Sequence, residues 1–135
     1  MMEAGVVVDI HGEALHWHLP EGRSGGSLPD HVAKLPASEE AFRKANLWYV
    51  FWDNRDSIKG FAHSHPGGGV PGPSYTDVTT FAAIEDALGQ RLDWWITSDQ
   101  AVVVCRWAGP HRLTYQVERL AEDPSWVAEL RRLSK

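Results

Sequence analysis

Apolar positions along the chain follow two different periods. Residues 5–10, Gly-Val-Val-Val-Asp-Ile, are rich in β-branched side chains and predict a strand. His11-Gly12 offers a turn, and residues 13–19, Glu-Ala-Leu-His-Trp-His-Leu, return as a second strand. Between Pro20 and Pro36, Gly, Ser and Pro interrupt every periodicity. The stretch 20–37 reads as a flexible loop, of a length often tied to function, placed to cover a substrate groove. Ser38-Glu39-Glu40 carries the signature of a helix start, with Ser38 as N-cap. Phe42, Ala45, Tyr49 and Trp52 follow at helical spacing and predict a helix over about 38–53. Its second half, from Leu47 to Trp52, is apolar all round and also fits a strand.

After a break at Asn54-Arg55-Asp56, residues 57–63 predict a strand. A helix is expected from Thr76 to Leu88, with Val78, Phe81, Ala82, Glu85 and Leu88 along one side and Glu85 its only polar member. Gly89 supplies the stop. Residues 91–97 and 101–107 read as strands joined by Ser98-Asp99-Gln100. A third strand follows the Ala108-Gly109-Pro110 turn, where Leu113, Tyr115 and Val117 alternate with polar residues. Pro124 opens a short terminal helix with Trp126, Leu130 and Leu133 on one side. No repeat or linker interrupts the order, so residues 1–135 are expected to form a single α/β domain in the broad sense, a central mixed β-sheet flanked by helices.

Composition narrows the function classes. The formal charge of −5 argues against a nucleic-acid partner, which needs clustered Lys and Arg. No apolar run is long enough for a membrane span, and the N-terminus shows no secretory pattern. Cys105 is the only cysteine, so no internal disulfide can form, and a cytoplasmic location is expected. Lying in an apolar strand, Cys105 reads as core rather than nucleophile.

The chemistry concentrates in residues 61–77. His63 and His65 stand two apart at the end of a strand, so their side chains share a face. Two imidazoles suit zinc, and Asp77 is the natural third ligand; catalytic zinc commonly keeps three protein ligands and one open position. The loop 66–73 between them holds four Gly, three Pro and Val70, and can fold back to present Ser74 and Asp77 to the histidines. Each half alone has a plainer reading. A lone His-x-His is more often a surface or core pair, and His16-Trp17-His18 repeats the pattern with no carboxylate after it. Ser74-x-x-Asp77 alone reads as a helix cap with an acid in the first turn. His11, His31 and His111 read as surface or packing residues.

Together, His63-Ser64-His65-Pro66, a Gly/Pro loop and Ser74-Tyr75-Thr76-Asp77 resemble the signature of the JAMM metalloproteases, also called MPN+ or JAB-domain proteins. Eight residues separate His65 from Ser74 where that family usually has seven. The resemblance is sharp over roughly residues 58–105 and loose before that. It implies the α+β, cytidine-deaminase-like JAB/MPN fold, with zinc bound by His63, His65 and Asp77 and Ser74 stabilising an oxyanion. It further implies an upstream Glu that moves protons during hydrolysis of a peptide or isopeptide bond. Candidates for that Glu are Glu3, Glu13, Glu21, Glu39 and Glu40. Glu13, opening a strand after a turn, is preferred, and Glu39 comes next, although helix first turns favour acids for their own reasons.

Two functions from different classes follow. The first is a zinc metallopeptidase or isopeptidase, related to deubiquitinases, of a compact bacterial, archaeal or phage type. Its substrate is then a protein or peptide, such as the C-terminus of a ubiquitin-like or sulfur-carrier protein. The second is a non-catalytic MPN-type interaction or scaffold module. Scaffold members usually lack one or more of these residues, whereas His63, His65, Ser74 and Asp77 are all present, which favours the enzyme. Nothing in the sequence bears on the oligomeric state.

Overall fold

The computed structural model describes residues 3–18 and 46–134. In chain order the described elements are β1 (Gly5–Asp9), β2 (Ala14–His18), α1 (Asn46–Asp53), β3 (Ile58–Ser64), α2 (Tyr75–Leu88), β4 (Asp93–Thr97), β5 (Val102–Trp107), β6 (Tyr115–Arg119) and α3 (Val127–Leu133). The expected strands and helices therefore occur in the expected order. The apolar run after Leu47 is a helix, and its Leu47, Trp48 and Phe51 are buried on one side. The expected loop 20–37 and the helix start at Ser38 lie outside the described residues.

The strands form one six-stranded sheet in the order β2-β1-β3-β4-β5-β6. Every neighbouring pair is antiparallel except β3 and β4, which run parallel and are joined through α2. The result is a small α+β unit with a mixed sheet. Strands β1 and β3 are nearly continuous apolar runs because both of their faces are covered.

One face carries Val7, Phe61, Trp94, Ile96, Val103 and Cys105, packed under Leu47, Trp48 and Phe51 of α1 and Phe81 and Ile84 of α2. Phe81 stacks on Trp94 with ring centroids 4.5 Å apart, an offset aromatic pair at the middle of this layer. The other face carries Val6, Val8, Ala62, Trp95, Val102 and Val104 against Trp126, Val127 and Leu130. At Gly5 a β-carbon would stand 2.2 Å from the Phe61 ring, so the ring lies across β1 only because that position has no side chain.

Glu85, the polar member of the apolar α2 face, is 2% exposed and fully engaged. It accepts from the Leu92 N–H at 2.8 Å, Trp94 Nε1–H at 3.1 Å and Arg91 at 3.0 Å, and it bonds the Tyr115 hydroxyl. The carboxylate thereby ties α2 to β4 and β6. Gly89, with φ 71, ends the helix in the left-handed region and donates to the Glu85 carbonyl.

Candidate metal centre

Strand β3 ends at Ser64, and the chain stays tied to the sheet one residue further, where the His65 N–H donates to the Thr97 carbonyl at 2.8 Å. His63 and His65 therefore face the same way, as their spacing requires. Their Nε2 atoms lie 3.0 Å apart. His63 is 1% exposed and packs edge-on against Phe81, while the His65 side chain is 29% exposed at the rim.

The loop 66–73 is fastened on the turn between β4 and β5. Ser98 Oγ donates to the Gly69 carbonyl at 2.5 Å, the Gly69 N–H donates to Gln100 Oε1 at 2.9 Å, and the Asp99 N–H donates to the Gly67 carbonyl at 2.8 Å. So held, the loop brings the first turn of α2 over the histidines. Ser74 is the N-cap of α2 and Asp77 its third residue, and the two form a capping box. The Asp77 N–H donates to Ser74 Oγ at 3.0 Å, and the Ser74 N–H donates to Asp77 Oδ2 at 2.9 Å. The plainer reading of Ser74-x-x-Asp77 as a helix cap is thus present together with the expected approach to the histidines.

Asp77 is 4% exposed. Its Oδ1 lies 3.4 Å from His63 Nε2 and its Oδ2 3.4 Å from His65 Nε2. Burial alone would raise the Asp77 carboxyl. Hydrogen bonds from both histidines, the nearby His63 charge and the Ser74 N–H outweigh it and hold the group well below the usual carboxylate range. His65 is shifted up, chiefly by its hydrogen bond to Asp77, with burial opposing and the Asp77 and Glu3 charges adding to the rise.

A second carboxylate faces the pair, and it is Glu3. Its Oε1 lies 3.7 Å from His65 Nε2, and Glu3, His63 and His65 each offer a ligand atom within 4.8 Å of one another. Register explains the meeting: Gly5 is opposite His63 in the antiparallel β1–β3 pair, so two residues back on one strand and two on along the other puts Glu3 opposite His65. Glu13 is not brought to the site. It is exposed beside Asp9, where the two exchange hydrogen bonds of 2.9 Å, and Asp9 pairs with Ile58 at the opposite end of β3. At about 3.4 Å per residue, the five steps from Ile58 to His63 put that end roughly 17 Å along the strand from the nearer histidine. Because β1 runs against β3, its entry and not its exit meets His63. Glu21, Glu39 and Glu40 lie outside the described residues.

The donor spacing fits a metal ion. Zinc–ligand bonds of about 2.0–2.1 Å at tetrahedral angles separate neighbouring donors by roughly 3.3 Å. Here the two Nε2 atoms lie 3.0 Å apart, and each lies 3.4 Å from a different oxygen of Asp77. Both imidazoles turn an Nε2 toward the same carboxylate and toward each other, which suits a shared cation. Of the two carboxylates, Asp77 is the nearer, is buried and is locked by its cap; Glu3, with a quarter of its side chain exposed, is the one open to solvent. His63 Nδ1 is buried without a hydrogen-bond partner among the described residues.

No family model matches the chain, and no curated protein matches it.

The second His-x-His is differently placed. His16 and His18 lie on the edge strand β2 with ring centroids 6.5 Å apart, and neither belongs to the Glu3, His63 and His65 group. Cys105 is fully buried, and burial, with the Asp77 charge adding, pushes its thiol up to about 12. No helix among the described residues is long and apolar enough to cross a membrane.

Proposed function

We propose that this chain is a zinc-dependent peptidase or isopeptidase of the JAMM type, with His63, His65 and Asp77 as the metal ligands and Glu3 as the proton carrier. The observation that carries the reading is the convergence of two imidazole Nε2 atoms on the two oxygens of one buried carboxylate. Gathering these groups out of water without a cation is costly, and a divalent ion is the partner that fits them.

Zinc bound at such a site supplies Lewis acidity and water with a pKa near neutrality. The chain's own residues supply the rest. His63 fixes the buried side of the centre against Phe81, and His65 forms its open rim. Glu3, on the solvent side of His65, is placed to take a proton from water and return it to a leaving amine. Ser74 Oγ accepts the Asp77 N–H, and that bond leaves the hydroxyl hydrogen unused; it would be the donor to a developing oxyanion if substrate bound with its carbonyl toward the helix start. The partly exposed rim suits an extended substrate such as a peptide tail.

Cleavage of fluorogenic peptide and isopeptide libraries, with zinc supplied and then chelated, tests the proposal. Zinc-dependent cleavage that Glu3→Gln abolishes supports it. Metal binding without cleavage of any such bond, in the presence of an intact centre, would instead leave the chain as an interaction module.

A further inference from the structure

Ser64 stands between the two histidines in sequence but points to the other face of the sheet, where it is 2% exposed. Its N–H donates to the Ala4 carbonyl at 3.0 Å, and the Ala4 N–H donates back to Ser64 Oγ at 2.9 Å. Both polar groups of the Ala4 backbone are thus held by one residue, and Ala4 itself is fully buried. Ser64 Oγ also lies 2.5 Å from Ser134 Oγ, at the C-terminal cap of α3, and Ser134 Oγ lies 2.8 Å from the Leu130 carbonyl. Each hydroxyl carries a single hydrogen. Ser64 Oγ accepts the Ala4 N–H, and the two hydroxyl hydrogens have two consistent placements: Ser134 O–H to Ser64 Oγ with Ser64 O–H toward the Ala4 carbonyl at 3.5 Å, or Ser64 O–H to Ser134 Oγ with Ser134 O–H to the Leu130 carbonyl; both tie Ala4 to Ser64 and Ser64 to Ser134.

This relay ends one residue from Glu3. Glu3 lies beyond the last ladder partner of β1, Gly5, where a strand end is prone to fray. We infer that Ser64 and Ser134 are positioning residues: they clamp the backbone at Ala4 to the end of α3, so that the Glu3 carboxylate is held against His65. The histidine strand thereby carries two functions on its two faces. His63 and His65 present the metal ligands on one, and Ser64 on the other fixes the carboxylate that completes the site. The inference rests on the metal reading above.

Titration of the metal-free full chain with Co2+, followed by visible absorption, tests it. Wild type is compared with Glu3→Gln, Ser64→Ala, Ser134→Ala, Ser64→Thr and the serine-to-alanine changes combined with Glu3→Gln. Removing a partner that orients a metal site typically costs about 10–100-fold in affinity. Glu3→Gln is expected to weaken Co2+ binding about ten-fold and shift the bands, and the two alanine variants to move both in the same direction. Ser64→Thr, which keeps the hydroxyl, retains wild-type behaviour. In the Glu3→Gln background each alanine change adds less than about two-fold, because the serines act through Glu3. Ser134→Ala leaves the histidine strand untouched and guards against simple damage at Ser64. Equal losses in both backgrounds, or alanine variants with wild-type spectra and affinity, overturn the inference. So does a silent Glu3→Gln in a protein that binds Co2+, while the metal centre itself then stands. A wild-type chain that takes up no Co2+ sinks the metal reading and the positioning role with it.

Discussion

Ser74 and Asp77 hold each other: the backbone N–H of each donates to the side chain of the other, at 2.9 and 3.0 Å. The same carboxylate faces both histidine Nε2 atoms at 3.4 Å. The cap of the helix and the placing of this carboxylate against the histidines are therefore one arrangement. Replacing Ser74 by Ala is expected to cost about 1 kcal/mol of stability, the usual loss for an N-cap, in denaturant melts of the metal-free protein. It should also weaken zinc binding about ten-fold by freeing Asp77. An unchanged zinc affinity would mean that Asp77 is held by other contacts.

Glu3 and Glu13 make opposite predictions. Glu3→Gln should lower the rate of any zinc-dependent cleavage by about two to four orders of magnitude, the usual contribution of a positioned acid–base group. Glu13→Gln, exposed and at the far end of β1, should leave the rate within about two-fold, since surface changes away from a site are usually small. Steady-state rates for the two variants on one substrate decide between them, and a larger loss for Glu13 would refute the placement of the base.

Glu85→Ala should unfold the protein more readily without touching the metal centre. The change strips the acceptor from buried donors of Leu92 and Trp94, and from Tyr115 and Arg91. Arg91 is half exposed, which lowers the penalty, and a loss on the order of 3 kcal/mol is expected. Urea unfolding should register it, with zinc stoichiometry unchanged under native conditions.

Alkaline pH should weaken the fold. The Cys105 thiol is pushed from 9.0 up to about 12, and the Tyr115 phenol is also raised, chiefly by burial and by its bond to Glu85. Above pH 9 the unfolded chain releases the thiol proton while the folded chain keeps it. The folded state then binds more protons, and stability falls as pH rises from about 9 toward 12. Below pH 9 the full contribution is present. Chemical denaturation at a series of pH values tests the sign. In the same experiments the native thiol should resist a disulfide reagent at pH 8 and react once unfolded. Rapid reaction of the native protein would contradict its burial.

Much of the fold was legible because local chemistry and tertiary structure agree. The β-branched runs became strands, and the helix from Tyr75 to Leu88 lies between the predicted cap at Ser74 and the predicted stop at Gly89. The convergence of His63, His65 and Asp77 was legible from type and spacing, since strand alternation and a capped helix start set their directions locally. Glu3 was not. Its meeting with His65 depends on the register of β1 against β3, sixty-two positions apart in sequence. Strand register is usually written in an alternation of apolar and polar residues. Val6, Val7 and Val8 are all buried, so β1 carries no such alternation. Ser64 and Ser134 were hidden for the same reason, their partnership spanning seventy positions. Glu85 stood out in the sequence as a polar residue on an apolar face, but its four partners come from β4, the two residues just before it, and β6.

Zinc content of the purified chain, wild type beside His65→Ala, is the most direct measurement. About one zinc per wild-type chain is expected, the stoichiometry of a site with three protein ligands, and the variant should lose it while keeping its fold by circular dichroism. A wild-type chain that stays empty after zinc is supplied, or a His65→Ala variant that binds as much as wild type, would contradict a metal centre at His63, His65 and Asp77.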